Sequence, residues 1–197
     1  MDLTLTTLLT MARETVSDPR GGAKRIMAIN LPLRDGWSAL ALMAVGSAVL
    51  THLGFLLSPP AARDFFSDAM ASPFRTAILQ GLVMGLGAFA MFKVGVARGG
   101  HGTLPQAVAL AAWLQFILLV LQVAQLAAQV LVPPLAALIG LLGLALFFWL
   151  LTGFVMQMHG FTSMPITFLG ILATMVALGM VLAMVLGMFF GMPVSGV

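Results

Sequence analysis

No side chain after Arg98 carries a formal charge, so the second half of the chain, from Gly99 to Val197, is neutral throughout. A stretch of this length has no stable place in water when it is also apolar, and here 61% of all residues are hydrophobic. Charged residues make up 8%, where a soluble domain has about 25%. A lipid bilayer is the solvent that fits, and it sets the unit of reading: a helix crosses it with about 20 apolar residues. Five such stretches are present, at approximately 37–57, 74–94, 104–132, 135–157 and 166–188. Backbone amides in hydrocarbon need internal partners, and uninterrupted apolar runs lack the alternation of barrel strands, so the spans are helices. The expected fold is all-α: a polytopic membrane protein with five transmembrane helices over residues 37–197, preceded by a short amphipathic cytoplasmic helical segment over residues 1–36.

The breaks between spans contain residues that stop or start helices: Ser58-Pro59-Pro60, Gly99-Gly100-His101-Gly102, Pro133-Pro134 and Met164-Pro165. Pro133-Pro134 leaves almost no loop, which predicts that the third and fourth spans are antiparallel neighbours. With the amino terminus inside, Arg13, Arg20, Lys24, Arg25, Arg34, Lys93 and Arg98 lie on the cytoplasmic side, leaving Arg63 and Arg75 outside. This distribution predicts a cytoplasmic amino terminus and an outer carboxyl terminus. Asp2 and the threonines that follow it do not resemble a cleaved leader.

Within the first 36 residues, Leu5, Leu8, Leu9, Ala12 and Val16 recur at helical spacing and predict a surface helix. Asp18-Pro19 resembles a cap followed by proline at the first helical position. It opens a second segment, with Ala23, Ile26, Met27 and Leu31 apolar and Arg20, Lys24 and Arg25 basic, expected to lie on the inner leaflet. Arg20, Lys24, Arg25 and Arg34 are the candidate contacts to lipid headgroups. The competing reading is topological anchoring or packing onto the bundle, and it is preferred because lipid recognition is marked by clusters of about four to eight basic residues.

The spans contain few polar groups. Gln115, Gln122, Gln125 and Gln129 in the third span fall within an arc of about 80° and form one stripe, with Trp113 on the opposite side. The stripe is either a path for a small polar molecule or a set of interhelical hydrogen bonds. The second reading is preferred, because an ion or proton route normally includes an ionisable residue and this span has none. Gly81 and Gly85, and later Gly187 and Gly191, are GxxxG pairs that permit close helix packing within one chain or between copies. Met180, Met184, Met188 and Met192 repeat along the last helix, read as packing or a lipid-facing edge. His52, His101 and His159 are the candidate ionisable groups. His101 and His159 fall at the cytoplasmic end, where they approach one another if the third and fourth spans are neighbours. Two histidines without a third ligand make no metal site.

Catalytic parts are missing. Asp68 is the last carboxylate, so no intramembrane carboxylate pair is available, and no cysteine exists to act as nucleophile or thiolate ligand. Gly99 to Gly102 lack the lysine and hydroxyl of a phosphate-binding loop. The expectation is a non-enzyme that takes no cofactor, metal, nucleotide or nucleic acid.

Asp18-Pro19-Arg20, the five-span plan with an inside amino terminus, the run Gly99-Gly100-His101-Gly102-Thr103-Leu104-Pro105-Gln106, and Ala111-Ala112-Trp113-Leu114-Gln115 together give a pattern that resembles bacterial members of the Yip (Ypt/Rab-interacting protein) family. The resemblance extends from about Ser17 to Phe190. Eukaryotic relatives are five-span proteins of the endoplasmic reticulum and Golgi that associate with Rab GTPases through a long cytosolic region with a tyrosine-containing motif. This chain has no tyrosine and only a short cytosolic segment, so the resemblance implies fold and topology without the Rab-binding role. Together with the composition it implies a bacterial inner-membrane protein with a periplasmic carboxyl terminus. Two functions are then in view. One is a membrane organiser or accessory subunit that binds lipids, other membrane proteins or itself. The other is a small transporter or channel using the polar path along the third span.

Overall fold

The computed structural model describes residues 4–58 and 72–190, with side chains through Met184. Two short helices, α1 (Leu5–Ser17) and α2 (Pro19–Ala28), precede five long ones: α3 (Leu33–Leu56), α4 (Pro73–Ala97), α5 (Leu104–Leu131), α6 (Pro133–His159) and α7 (Met164–Phe190). All five long helices are apolar enough to cross a membrane. The protein is an all-α polytopic membrane bundle. Its periphery is apolar, with Leu42, Leu82, Leu141, Ile166 and Val176 each more than half exposed, as expected of a surface solvated by lipid tails.

Helix α5 is the centre of the bundle. It packs on α3, α4 and α6, and it alone has nearly half of its apolar window buried. Small residues bring the neighbours close. On α3, Gly36 faces Val108, Gly46 faces Leu119, and Gly54 faces Leu126 and Gln129. On α6, Gly143 faces Leu121. Gly81 and Gly85 of α4 serve the contact with α3: a Cβ at Gly85 would lie 3.3 Å from the Trp37 ring, and one at Gly81 would lie 3.7 Å from Ala44. This pair is therefore used inside the chain. Gly187 lies beyond the described side chains and Gly191 beyond the described backbone, as do Met188 and Met192 respectively.

Only Val132 separates α5 from α6, because both Pro133 and Pro134 sit in the first turn of α6, where a proline costs no helical hydrogen bond. The two helices are packed neighbours. Helix α3 begins at Leu33, four residues before the expected start at Trp37. Arg34 and Asp35 thus occupy its first turn, where the acidic side chain complements the helix dipole. Helix α7 packs chiefly on α6 and forms the edge of the bundle.

Candidate functional site

The amino-terminal hairpin is built as the local sequence dictates. Asp18 caps α2 by accepting the Gly21 amide at 2.9 Å, and Pro19 takes the first helical position. The hairpin is packed on the bundle. Helix α2 lies against α6 and α5, with Ala23 fully buried and Ile26 buried beside it. Gly153 of α6 allows this approach, since a Cβ there would sit 2.4 Å from Pro19, and Gly22 lets α2 close on α1, since a Cβ there would sit 2.5 Å from Thr15. On α1 the buried side is Ala12 and Thr15 with Leu8 and Met11 partly covered, whereas Leu5, Leu9 and Val16 of the expected stripe are exposed. Two indoles fasten the end of α1. Trp113 of α5 donates to the Thr15 hydroxyl at 3.2 Å, and Trp149 of α6 donates to the Val16 carbonyl at 3.0 Å. Arg25 pairs with Glu14 across the hairpin, while Arg13, Arg20, Lys24 and Arg34 are exposed around the same end.

Beside the hairpin, His159 closes the bundle. It is 2% exposed, and its Nδ1 accepts the Gly102 amide at 3.2 Å while Nε2 donates to the Met91 carbonyl at 3.0 Å. That pattern assigns the neutral tautomer with the proton on Nε2. The ring occupies a cradle of glycines, since a Cβ at Gly95, Gly100 or Gly102 would approach it to 2.0, 2.2 and 2.7 Å. Gly99, at φ +86°, lets α4 end in a Schellman turn, with the Gly100 amide on the Gly95 carbonyl. Gly160, at φ +75°, ends α6 in the same way and stacks Phe161 on the imidazole at 5.4 Å. His101 is exposed on the intervening loop. Among the described residues no three His, Asp or Glu side chains gather into a metal-binding group.

The glutamine stripe divides among three neighbours. Gln122 bonds α3 in three places: Nε2 donates to the Thr51 hydroxyl at 3.0 Å and to the Ser47 carbonyl at 3.3 Å, and Oε1 accepts from the Ser47 hydroxyl at 3.0 Å. Gln129 donates to the Gly54 carbonyl at 3.1 Å and the Ser58 hydroxyl at 3.3 Å. Gln125 lies over Gly140 of α6, and Gln115 faces a cavity between α4 and α7. Thr51 also accepts from Gln80 of α4 at 3.4 Å, so one hydroxyl joins three helices. Gln80 Oε1 and His52 Nδ1 are buried with no hydrogen-bond partner among the described residues. Gln80 and the bonding roles of Ser47, Thr51 and Ser58 were missed in the sequence; the available signal was small hydroxyls recurring through an apolar span.

A family model described as the Yip1 domain matches residues 13–192, nearly the whole length. The chain belongs to the Yip1 family. No curated protein and no solved structure gives a significant match. Membership accords with the five spans and with the lead-in to α5, where Thr103 and Gln106 form a reciprocal capping box. The match begins at Arg13, so the Yip1 region includes the clasped end of α1 and all of α2. Members of this family are non-enzymatic membrane proteins.

Proposed function

We propose that this Yip1-family protein is a membrane organiser or accessory subunit of a bacterial inner membrane, binding lipids or other membrane proteins. In this reading the amino terminus is cytoplasmic and the carboxyl terminus periplasmic. The observation that carries it is the docked hairpin. Its apolar side is buried on α5 and α6, which leaves Arg13, Arg20 and Lys24 turned outward at one end of the bundle, with Arg34 beside them. Basic residues held near an anionic leaflet contribute about 1 kcal/mol each, and a hairpin fastened to the bundle presents them without a further ordering cost.

The glutamines support the same reading. Gln122 and Gln129 satisfy their amides on α3, which is the use polar side chains commonly have between membrane helices. Gentle extraction from native membranes, followed by mass spectrometry of retained lipid and protein, tests the proposal. Reproducible recovery of a bound component, diminished when Arg20 and Lys24 are changed to Gln, is the expected result. Solute flux in liposomes, abolished by Gln122→Leu with Gln125→Leu in a folded protein, would overturn it in favour of a transporter.

A further inference from the structure

Helices α4 and α7 stand apart, and between them lies a half-enclosed cavity of about 540 Å³, well within the range of roughly 300–1,000 Å³ for small-molecule sites. Leu110 of α5 and Phe154 of α6, both without exposed surface, form its floor. Its width comes from Gly87 on α4 and Gly170 on α7, since a Cβ at either would meet nothing within 4 Å. These two glycines preserve space, unlike Gly81 and Gly85. The hydroxyls of Thr167 and Thr174 on the lining are spent on the carbonyls of Ser163 and Gly170, and the Gln115 amide is the other polar group on the wall below the mouth.

The mouth has a different character. Arg98 stands there, exposed and without an ion pair among the described residues, facing the turn that contains Thr162 and Ser163. The depth is informative as well. The lining on α4 runs from Arg98 to Val83, about 22 Å at 1.5 Å per residue, and that on α7 from Ile166 to Leu178, about 18 Å. One leaflet, including its headgroup layer, is about 20–22 Å thick. The cavity is therefore one leaflet deep. A partner's transmembrane helix would need a groove across both leaflets, and this one ends near the middle.

We infer that the α4–α7 cavity holds one acyl chain of an anionic glycerophospholipid from the leaflet at the basic end, with the headgroup phosphate at Arg98. The inference deepens the lipid-binding reading above and rests on it, but it places the lipid away from the hairpin. The test is native mass spectrometry of the delipidated full chain titrated with phosphatidylglycerol or phosphatidylcholine. One phosphatidylglycerol should be retained per chain, about fivefold better than phosphatidylcholine, as one basic residue near the surface provides. Arg98→Gln should level the two lipids. Gly87→Phe or Gly170→Phe should remove retention of both, with thermal unfolding confirming that the variants are folded.

A second measurement leaves the glycines intact. Because the chain lacks cysteine, Ala177→Cys, beside the lining residue Leu178 but outside the cavity, gives a single site for a fluorophore that leaves the cavity open, and a lipid brominated on its acyl chain should quench it more strongly than one brominated at the headgroup. Equal retention by the phenylalanine variants, no headgroup preference in the wild type, no chain-dependent quenching, or loss of preference on changing Arg20 and Lys24 instead of Arg98 would each overturn the cavity assignment. The last of these outcomes would leave the hairpin reading standing, and recovery from native membranes tests that reading separately.

Discussion

Trp113 and Thr15, 98 positions apart in the chain, meet through an indole-to-hydroxyl hydrogen bond in the buried seam between α5 and α1. The Thr15 hydroxyl in turn donates to the Met11 carbonyl at 2.7 Å, so it both receives and gives a bond. Thr15→Val keeps the shape but leaves the indole N–H unpaired, which should cost about 1–3 kcal/mol. Thr15→Ser restores the hydroxyl and should recover most of that loss. Equilibrium unfolding in mixed micelles measures both.

Docking of α2 depends on the closeness of Gly153 to Pro19. Gly153→Val places methyl groups where the proline ring now lies, so the hairpin should lift. Trypsin cleavage after Arg20 and Lys24 should accelerate at least tenfold, as for a local opening weakened by about 1.4 kcal/mol or more. Gly87→Ala, where a Cβ meets open space, should leave the cleavage rate unchanged.

The Gln122 bonds to Ser47 and Thr51 are a packing device and should behave as one. Gln122→Leu should lower stability by about 0.6–1.7 kcal/mol, the range for hydrogen bonds between membrane helices. A double-mutant cycle with Thr51→Val should show a coupling of similar size. Absence of coupling would mean that the amide has another partner.

His159 fills a space that three glycines vacate. His159→Ala would leave a cavity and strand the Gly102 amide, with an expected cost of about 3 kcal/mol or more. Gly100→Ala should be comparably damaging, because its Cβ would fall 2.2 Å from the ring. His101→Ala, on the exposed loop, should have little effect. Thermal unfolding of the three variants ranks them.

The helices were legible because bilayer thickness dictates their length, and the Asp18-Pro19 cap was legible because its chemistry is local. Start points were less so: Arg34 and the Pro133-Pro134 pair read as loop, yet polar and proline residues both fit a first helical turn. Periodicity put the four glutamines on one face of α5 but carried no information about which neighbour each would meet. Gln122 found α3, Gln125 found α6, and Gln115 found the cavity. The His159 cradle was hidden for the same reason, since Gly95, Gly100 and Gly102 lie 57 or more positions away. The apolar residues of α2 specified that a face would be buried, but whether lipid or protein covers it depends on Gly153, far along the chain.

The single-residue link at Val132 governs how the uncharged half enters a membrane. No basic residue beyond Arg98 can bias the direction of an individual helix, and one connecting residue is too short for α6 to wait in water while α5 settles. A pair joined this closely has the geometry to insert as one hairpin, with its direction set by the charged segments that precede it in the chain.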